Sequence, residues 1–318
     1  MAELSELNPA AVASLLGRVR ALERELAALA EPQARPLLTF LSPCYDEAEN
    51  LEHLHRAIVA TCSAAGIDSY EILWIENGSR DESETIMRRL AEADQRLRII
   101  QLSRNFGFQG AITCGFQHAR GEWVAVLDAD DVAMPDRLQT QMEFLAAHSD
   151  VSVLGSWIEI VDADGQAIGL RRYPATHEQI QGAMRRYNPI AQPAVVFSRA
   201  MALACGAYQG EPYVEDYDLW CRMLRRGARF ANIQGLLTRY RVHGTASKQS
   251  HLRHVLRHTI AIKQRCFGGE FRLRDRLRLV AERAMLLLPP RWVYLAFRWI
   301  TFRRPARSKR ECCHTAKP

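Results

Sequence analysis

Four short apolar runs alternate with amphipathic patterns across residues 37–127, and this alternation narrows the fold more than any other feature of the chain. The run Leu37-Leu38-Thr39-Phe40-Leu41 stops at Ser42-Pro43. A second run, 70–75, ends at Glu76-Asn77-Gly78-Ser79, a third covers 97–102, and a fourth, 123–127, ends at Asp128-Ala129-Asp130-Asp131. Helical patterns at 49–65, 81–93 and 111–119 lie between them. Strands and helices alternating at this spacing predict a parallel sheet with helices on both faces. Ligands of such sheets sit beyond the carboxyl ends of the strands, which is where the polar clusters after runs one, two and four fall. From about residue 150 the regularity weakens. Residues 151–161, 192–197 and 238–242 read as further strands and 216–226 as a helix, an α+β half expected to shape an acceptor side.

Length and charge set the outer limits. With 318 residues, 48% hydrophobic and 25% charged, the chain has ample material for a core, and whole-chain disorder or a small disulfide scaffold is excluded. The net charge of +6 is uneven: residues 251–318 carry 17 Lys and Arg against 4 Asp and Glu, while 1–250 carry 25 against 32. A basic tail on an acidic body implies an anionic partner. At the other end, Leu15, Leu16, Val19, Leu22, Leu26 and Leu29 recur at helical spacing over 9–30, which fits a short coiled coil for a homo-oligomer or a helix folded onto the main domain. The start of the chain does not read as an export signal, because Glu3 and Glu6 stand where a basic region would be. The eight cysteines form no CxxC pair and are expected as reduced thiols in a cytoplasmic setting.

The chemistry concentrates at Asp128-Ala129-Asp130-Asp131. Three carboxylates within four residues repel one another unless a cation offsets them. A hard divalent ion, Mg²⁺ or Mn²⁺, takes oxygen ligands and bridges to substrate phosphates. A solvated acidic loop is the plainer alternative.

Taken together, these clusters resemble the family 2 glycosyltransferases. The resemblance rests on 41–51, Ile75-Glu76-Asn77-Gly78-Ser79-Arg80-Asp81, Arg104-Asn105-Phe106-Gly107, and 120–131. It continues at Pro135 and Arg137-Leu138 and resumes at Glu215-Asp216-Tyr217-Asp218-Leu219-Trp220 and Tyr240-Arg241-Val242-His243. The resemblance implies a GT-A fold, a Rossmann-like mixed α/β sheet with helices on both faces. It implies a domain over 36–250, flanked by an N-terminal helix at 1–35 and a basic helical tail at 251–318. It implies an inverting enzyme that uses a nucleotide-sugar donor, UDP- or GDP-linked, and a glycan or lipid-linked acceptor. Pro43, Tyr45 and Glu47 would contact base and ribose. Glu76 falls where the family usually has an Asp facing uracil. Asn105 and Gly107 would approach the phosphates, or only shape a turn. Asp128 would lie against ribose or sugar. Asp130 and Asp131 would hold the divalent cation, with His243 a further metal contact or a structural histidine. Asp216 matches the general base, although Glu215 and Asp216 could instead cap a helix and supply its first-turn acid. Gln192 stands where many relatives have His. The stretch 102–111 is especially similar to polyprenyl-phosphate sugar synthases, the runner-up reading, and a catalytically silent membrane-bound scaffold is a third.

The tail interleaves Arg272, Arg274, Arg276 and Arg278 with Phe271, Leu273, Leu277 and Leu279, followed by an aromatic stretch at 292–299. This pattern suits a segment lying in lipid headgroups, so 270–310 is expected as a peripheral contact at the inner face of the membrane. A helical hairpin packed on the body is the alternative. Nucleic acid is not expected, since no nucleic-acid module is present and the body is acidic.

Overall fold

The computed structural model of the chain describes residues 35–242 and 246–288, with side chains from 251 onward in the second segment. The helical pattern at 9–30, His243 and the tail beyond 288 lie outside the described residues.

Strand β1 (Leu38–Cys44) leads into helix α1 (Leu51–Ala64), β2 (Tyr70–Glu76), α2 (Ser83–Ala93), β3 (Leu97–Gln101), α3 (Gly107–His118) and β4 (Trp123–Val126). Then come β5 (Val132–Ala133), α4 (Arg137–Ala147), β6 (Val151–Val161), β7 (Ala167–Arg171), α5 (His177–Met184), β8 (Val196–Ser198) and α6 (Arg199–Ala204). The described part closes with α7 (Glu215–Arg225), β9 (Arg229–Arg241), α8 (Ala246–Phe267) and α9 (Leu273–Met285). The strands form one mixed sheet in the order β3-β2-β1-β4-β8-β6-β9-β5, with β7 on β6. β3, β2, β1 and β4 are parallel, as the alternation predicts, and β8 runs antiparallel between β4 and β6. This is the α/β sheet with helices on both faces expected from the sequence.

Strand alternation explains the two layers. Leu41, Leu73, Ile75, Val124 and Val126 turn to one face and pack with Ile112 and Phe116 of α3 and Leu219 and Trp220 of α7. Phe40, Ile72, Trp74 and Ala125 turn to the other and meet Leu54 and Ile58 of α1, Met87 of α2 and Leu138 of α4. The central strands are buried on both faces, hence their nearly continuous apolar runs.

Three elements differ from expectation. The strand expected at 192–197 begins as a 3-10 turn at Gln192–Ala194, because Pro193 cannot donate to a ladder, and only Val196–Ser198 pairs. Helix α3 starts four residues early, its first turn masked in the sequence by Gly107 and Gly110. β9 is 13 residues long, and its pairing with β6 shifts register near Trp157. That irregularity breaks the period-2 pattern on which strand recognition depends.

The boundary expected at 250/251 falls inside α8, whose Ile262 and Phe267 join the core of the first face. α9 packs on α8. Lys263 Nζ donates to both carboxylate oxygens of Glu282 at 2.8 Å, with almost no solvent exposure for either group. Glu282 also accepts from the more exposed Arg278 at 2.9 Å, so losing Lys263 falls at the low end of the cost of breaking a buried pair, about 3 kcal/mol. Lys263→Ala is expected to speed amide exchange across 273–285 by about a hundredfold while leaving β1–β4 protected, as read by hydrogen-exchange mass spectrometry.

Candidate active site

The carboxyl ends of β1, β2 and β4 and the start of α7 converge on one cleft. β1 and β2 end side by side, with Cys44 opposite Glu76. The loops that follow are latched to each other. Ser79 Oγ accepts from Asp46 N at 3.1 Å, and Asp46 Oδ1 accepts from Arg80 N at 2.7 Å. Ser83 Oγ accepts from Glu47 N at 2.9 Å, and Asp81 Oδ2 accepts from Ala48 N at 3.0 Å. Asp46 adopts φ 55°, a left-handed conformation that Asp adopts more readily than most residues, and its carboxylate is anchored on Arg80 N of the neighbouring loop.

A cavity of about 620 Å³ opens here. Tyr45, Glu76 and Asn105, all assigned to the donor from sequence, line it together with Arg80, Gln101 and Arg104. Glu76 is buried, and its carboxylate accepts from the backbone amides of Gly78 and Ser79 at 3.1 and 2.5 Å. A Cβ at Gly78 would stand 2.6 Å from the Arg104 backbone, and its φ of +73° also demands glycine. Asn105 accepts from Gly107 N at 2.7 Å and from Asn77 Nδ2 at 3.2 Å. Asn77, which sequence reasoning passed over, holds this turn: its Oδ1 accepts from Phe106 N at 3.0 Å and its amide donates to Gly107 O at 3.2 Å. Gly107 takes φ 75° at the entry to α3. Asn105 and Gly107 therefore shape a turn, and that turn forms the cavity wall.

The acidic loop is pinned to the far edge of the sheet. β5 pairs with β9, Ala133 lying opposite Thr238. Arg241 N donates to Asp131 Oδ1 at 2.8 Å, and Arg241 Nε donates to the Asp130 carbonyl at 3.0 Å. Asp131 is buried, and its Oδ2 makes no hydrogen bond among the described residues. The same is true of Asp128 Oδ1 and Glu215 Oε2. Each of these shielded oxygens without a donor has the chemistry of a ligand for a hard divalent cation, although among the described residues no three of these carboxylates bring ligand oxygens within 4.8 Å of one another.

Burial and neighbouring charge both shift the proton affinity of these groups. Burial pushes the Asp128 carboxyl up to about 8, and the charges of Asp130, Glu215, Asp216 and Glu47 add to the rise. Burial also raises Asp131 well above the carboxylate range, with Asp128 and Asp130 contributing. Glu215 rises to about 7 through burial and the charge of Asp216. Asp216 rises to about 6 through burial, against hydrogen bonds from Tyr217 N at 2.6 Å and Asn188 Nδ2 at 2.7 Å. Glu215 and Asp216 both occupy the first turn of α7 after Val214, and neither is its cap residue. Asp218, next along that turn, pairs instead with Arg222 at 2.7 Å and with Arg265.

A countercharge lies behind the cluster. Arg137, fully buried, donates to the carbonyls of Pro193 and Val126 at 2.8 and 3.0 Å and to Gln141 Oε1 at 3.1 Å. Burial lowers its guanidinium to about 10, and the charges of Asp131 and Asp128 oppose that fall. The Arg137-Leu138 pair was visible in the sequence, but its task was not, since an arginine opening a helix normally reads as solvated. Gln192 Nε2 donates to Tyr208 Oη at 2.9 Å.

Known proteins fit this geometry. Residues 39–205 match the sequence model of the family described as Glycosyl transferase family 2. The chain is 28% identical over 197 residues to the amylovoran biosynthesis glycosyltransferase AmsE of Erwinia amylovora, spanning 62% of this chain and 72% of that one. TarS of S. aureus superposes with a TM-score of 0.59 at 14% identity, over 84% of this chain and 74% of its own. The mannosyltransferase PcManGT of Pyrobaculum calidifontis, solved with GDP-Man and Mn2+, superposes with a TM-score of 0.56 at 17% identity, over 86% and 79%. At these identities the two structures speak to fold alone.

The carboxylate cluster makes stability depend on pH and cation. Groups raised on folding add stability below their unfolded values and lose it as pH rises through the folded ones. The cluster should therefore weaken the metal-free protein between pH 5 and pH 8, and a cation should replace the missing protons. At about a hundredfold excess over Kd, binding adds about 2.7 kcal/mol, a Tm rise of about 5 °C for a domain of this size. Differential scanning fluorimetry with Mn²⁺ is expected to show a larger rise at pH 8 than at pH 5. Asp131→Asn should raise the metal-free Tm at pH 8 and abolish the Mn²⁺ increment.

Proposed function

The chain belongs to glycosyltransferase family 2 and is a glycosyltransferase, and on that premise we propose that it moves one sugar from a UDP- or GDP-linked donor to a hydroxyl of a glycan or lipid-linked acceptor, with inversion. Two features carry this reading: Asp128 feels the charges of Asp130, Glu215, Asp216 and Glu47, with Asp131 in the same loop, and a polar cavity opens beyond the ends of β1 and β2. Tyr45 and Glu76 would face the nucleoside, with Pro43 and Glu47 on the adjoining loop, and the turn held by Asn105 and Gly107 would approach the phosphates. Asp128 would lie against ribose or sugar. Asp130 and Asp131 would hold the divalent cation, which supplies charge neutralisation of the departing diphosphate.

Asp216 would take the proton from the acceptor hydroxyl. Asn188 and the Tyr217 amide fix its two oxygens, so the carboxylate is oriented before substrate arrives. Its raised value brings it closer to neutral pH, where a base is strong enough to act and still ionised. One base and one displacement on the opposite face from the leaving group give inversion. The charge of Arg137 opposes the rise at Asp131 without competing for its oxygens.

The relative from E. amylovora is a polysaccharide-biosynthesis enzyme by name, which supports a glycan acceptor. No helix among the described residues is long and apolar enough to cross a membrane. A peripheral position at the inner face of the membrane draws support from α9. Leu273, Leu277 and Val280 are each more than 60% exposed and lie on one helical stripe. Arg272, Arg274, Arg276 and Arg283 flank them, also exposed. An apolar stripe bordered by arginines matches a headgroup layer.

Incubating the protein with UDP- and GDP-sugars, Mn²⁺ and either glycan-lipid or polyprenyl-phosphate acceptors tests the activity and separates the two acceptor classes. Asp216→Asn should lower kcat by about a thousandfold with donor binding retained. The base must be ionised, so kcat/KM should fall tenfold per unit below about pH 6, or lower where the bound cation further favours the charged form. Donor binding with no transfer to any acceptor would favour the silent-scaffold reading. For the surface, Leu277→Glu with Val280→Glu is expected to abolish sedimentation with vesicles containing anionic lipid, and unchanged sedimentation would remove the lipid contact.

A further inference from the structure

Helix α8 carries three histidines on one stripe, His251, His254 and His258, facing the loop that delivers Asp216 to the cleft. Glu211 lies in that loop. Its carboxylate and one ring nitrogen each of His254 and His258 all lie within 4.8 Å of one another. His254 Nε2 is 4.0 Å from Glu211 Oε2, too far for a hydrogen bond. That nitrogen is shielded from solvent, and no donor or acceptor reaches it among the described residues. The two imidazoles, one helical turn apart, stand 4.2 Å between centroids and are tilted by 35°.

An unpartnered, shielded imidazole nitrogen needs a proton acceptor, a proton donor or a metal. The neighbours on offer are another imidazole and a carboxylate, which together form a two-nitrogen, one-oxygen donor set. We propose that Glu211, His254 and His258 bind a borderline divalent ion of the Zn²⁺ class, clasping the 206–214 loop to α8. The donor set excludes hard ions: Mg²⁺ and Ca²⁺ take all-oxygen shells, whereas imidazole with one carboxylate suits Zn²⁺, Co²⁺ or Ni²⁺. Four-coordinate Zn²⁺ places its ligand atoms about 3.3 Å apart. Closing from the present spacing takes only side-chain rotation, and Glu211 is exposed and free to make it. Three protein ligands leave a fourth position for water or for an acceptor oxygen.

The loop has reason to need a clasp. Between Gly206 and Val214 the backbone takes positive φ at Gly206, Ala207, Gly210 and Tyr213, two of which bear side chains that pay for it. Tyr213 covers the histidine stripe, its ring stacked on His251 at 4.4 Å and edge-on to His254. Two residues after Tyr213, the first turn of α7 presents Glu215 and Asp216. An ion here would hold the approach of the base-bearing helix through metal–ligand bonds, independently of the cation expected at Asp130 and Asp131.

The test reads binding, so its failure is distinguishable from failure of the transferase reading. Tag-free full-length protein is titrated with Zn²⁺ by calorimetry in excess Mg²⁺, which fills the carboxylate cleft. One equivalent is expected to bind. Removing a ligand should cost at least what losing a ligand's supporting partner costs, about tenfold to a hundredfold. His254→Gln, His258→Gln and the exposed Glu211→Gln should each weaken Zn²⁺ by at least that factor with unchanged circular dichroism, and Asp131→Asn should not. Co²⁺ should give the visible absorption of a four-coordinate ion, lost in His258→Gln. Absence of saturable Zn²⁺ binding, or unchanged affinity in the folded His254→Gln/His258→Gln double variant, would overturn the site.

Discussion

Like charges held close together out of water are the constraint on which the rest of this structure depends. Asp128 and Asp131 come from one stretch of chain and Glu215 and Asp216 from another; burial raises the proton affinity of all four, and neighbouring negative charge adds to the rise at Asp128, Asp131 and Glu215. Such a cluster survives folding only if its cost is offset elsewhere. Arg137 offsets part of it from behind, as a buried cation that spends its hydrogen bonds on carbonyls and leaves the carboxylate oxygens open. The two-layer core supplies the remainder. The parallel strands end on that cluster from one side and α7 begins on it from another, so every element with a free end at the cleft contributes a carboxylate or a latch.

The latches explain why the geometry is stiff without disulfides. All six described cysteines are free. The loops after β1 and β2 instead exchange side-chain to backbone hydrogen bonds through Asp46, Ser79, Asp81 and Ser83, and Arg241 binds the acidic loop to the end of β9. Each bond is worth about 1 kcal/mol, but together they leave few alternative conformations for the two loops. Preorganisation of this kind lowers the cost of ordering the site when substrate binds.

The first half of the fold was legible because buried parallel strands write themselves as apolar runs with polar clusters at their ends. Tyr45, Glu76 and Asn105, three of the residues assigned to the donor from sequence, lie at or beyond the ends of those runs, and one cavity collects them. The second half was less so. β9 loses its period at the register shifts opposite Trp157, and Pro193 replaces a strand start with a 3-10 turn. Residues whose roles come from long-range packing left little local signal. Arg137 reads as a surface arginine until its burial is known, and the bonds by which Asn77 and Asn188 reach the site go to partners 28 to 30 positions away. The histidine stripe on α8 is visible as spacing, yet Glu211 joins it only across the loop.

The two clusters around α7 differ in donor chemistry, and that difference decides how they can coexist. A cleft of carboxylates takes hard ions and exchanges them readily with diphosphate-bound metal, which suits a cation that arrives and leaves with substrate. Imidazoles with a single carboxylate favour a borderline ion that stays. Intrinsic affinity would let Zn²⁺ compete at the carboxylates too, since it outranks Mn²⁺ at most nitrogen and oxygen sites. Occupancy at the cleft is then governed by ion abundance and by the oxygen-only shell that Asp130, Asp131 and the donor phosphates would form. Helix α7 stands between both sites, with Asp216 in its first turn and Asp218 tied back to Arg222 and Arg265. Its N-terminal end is therefore anchored through the helix body by ion pairs, an arrangement that suits the base role proposed for Asp216 because the anchoring contacts are made by Asp218 instead.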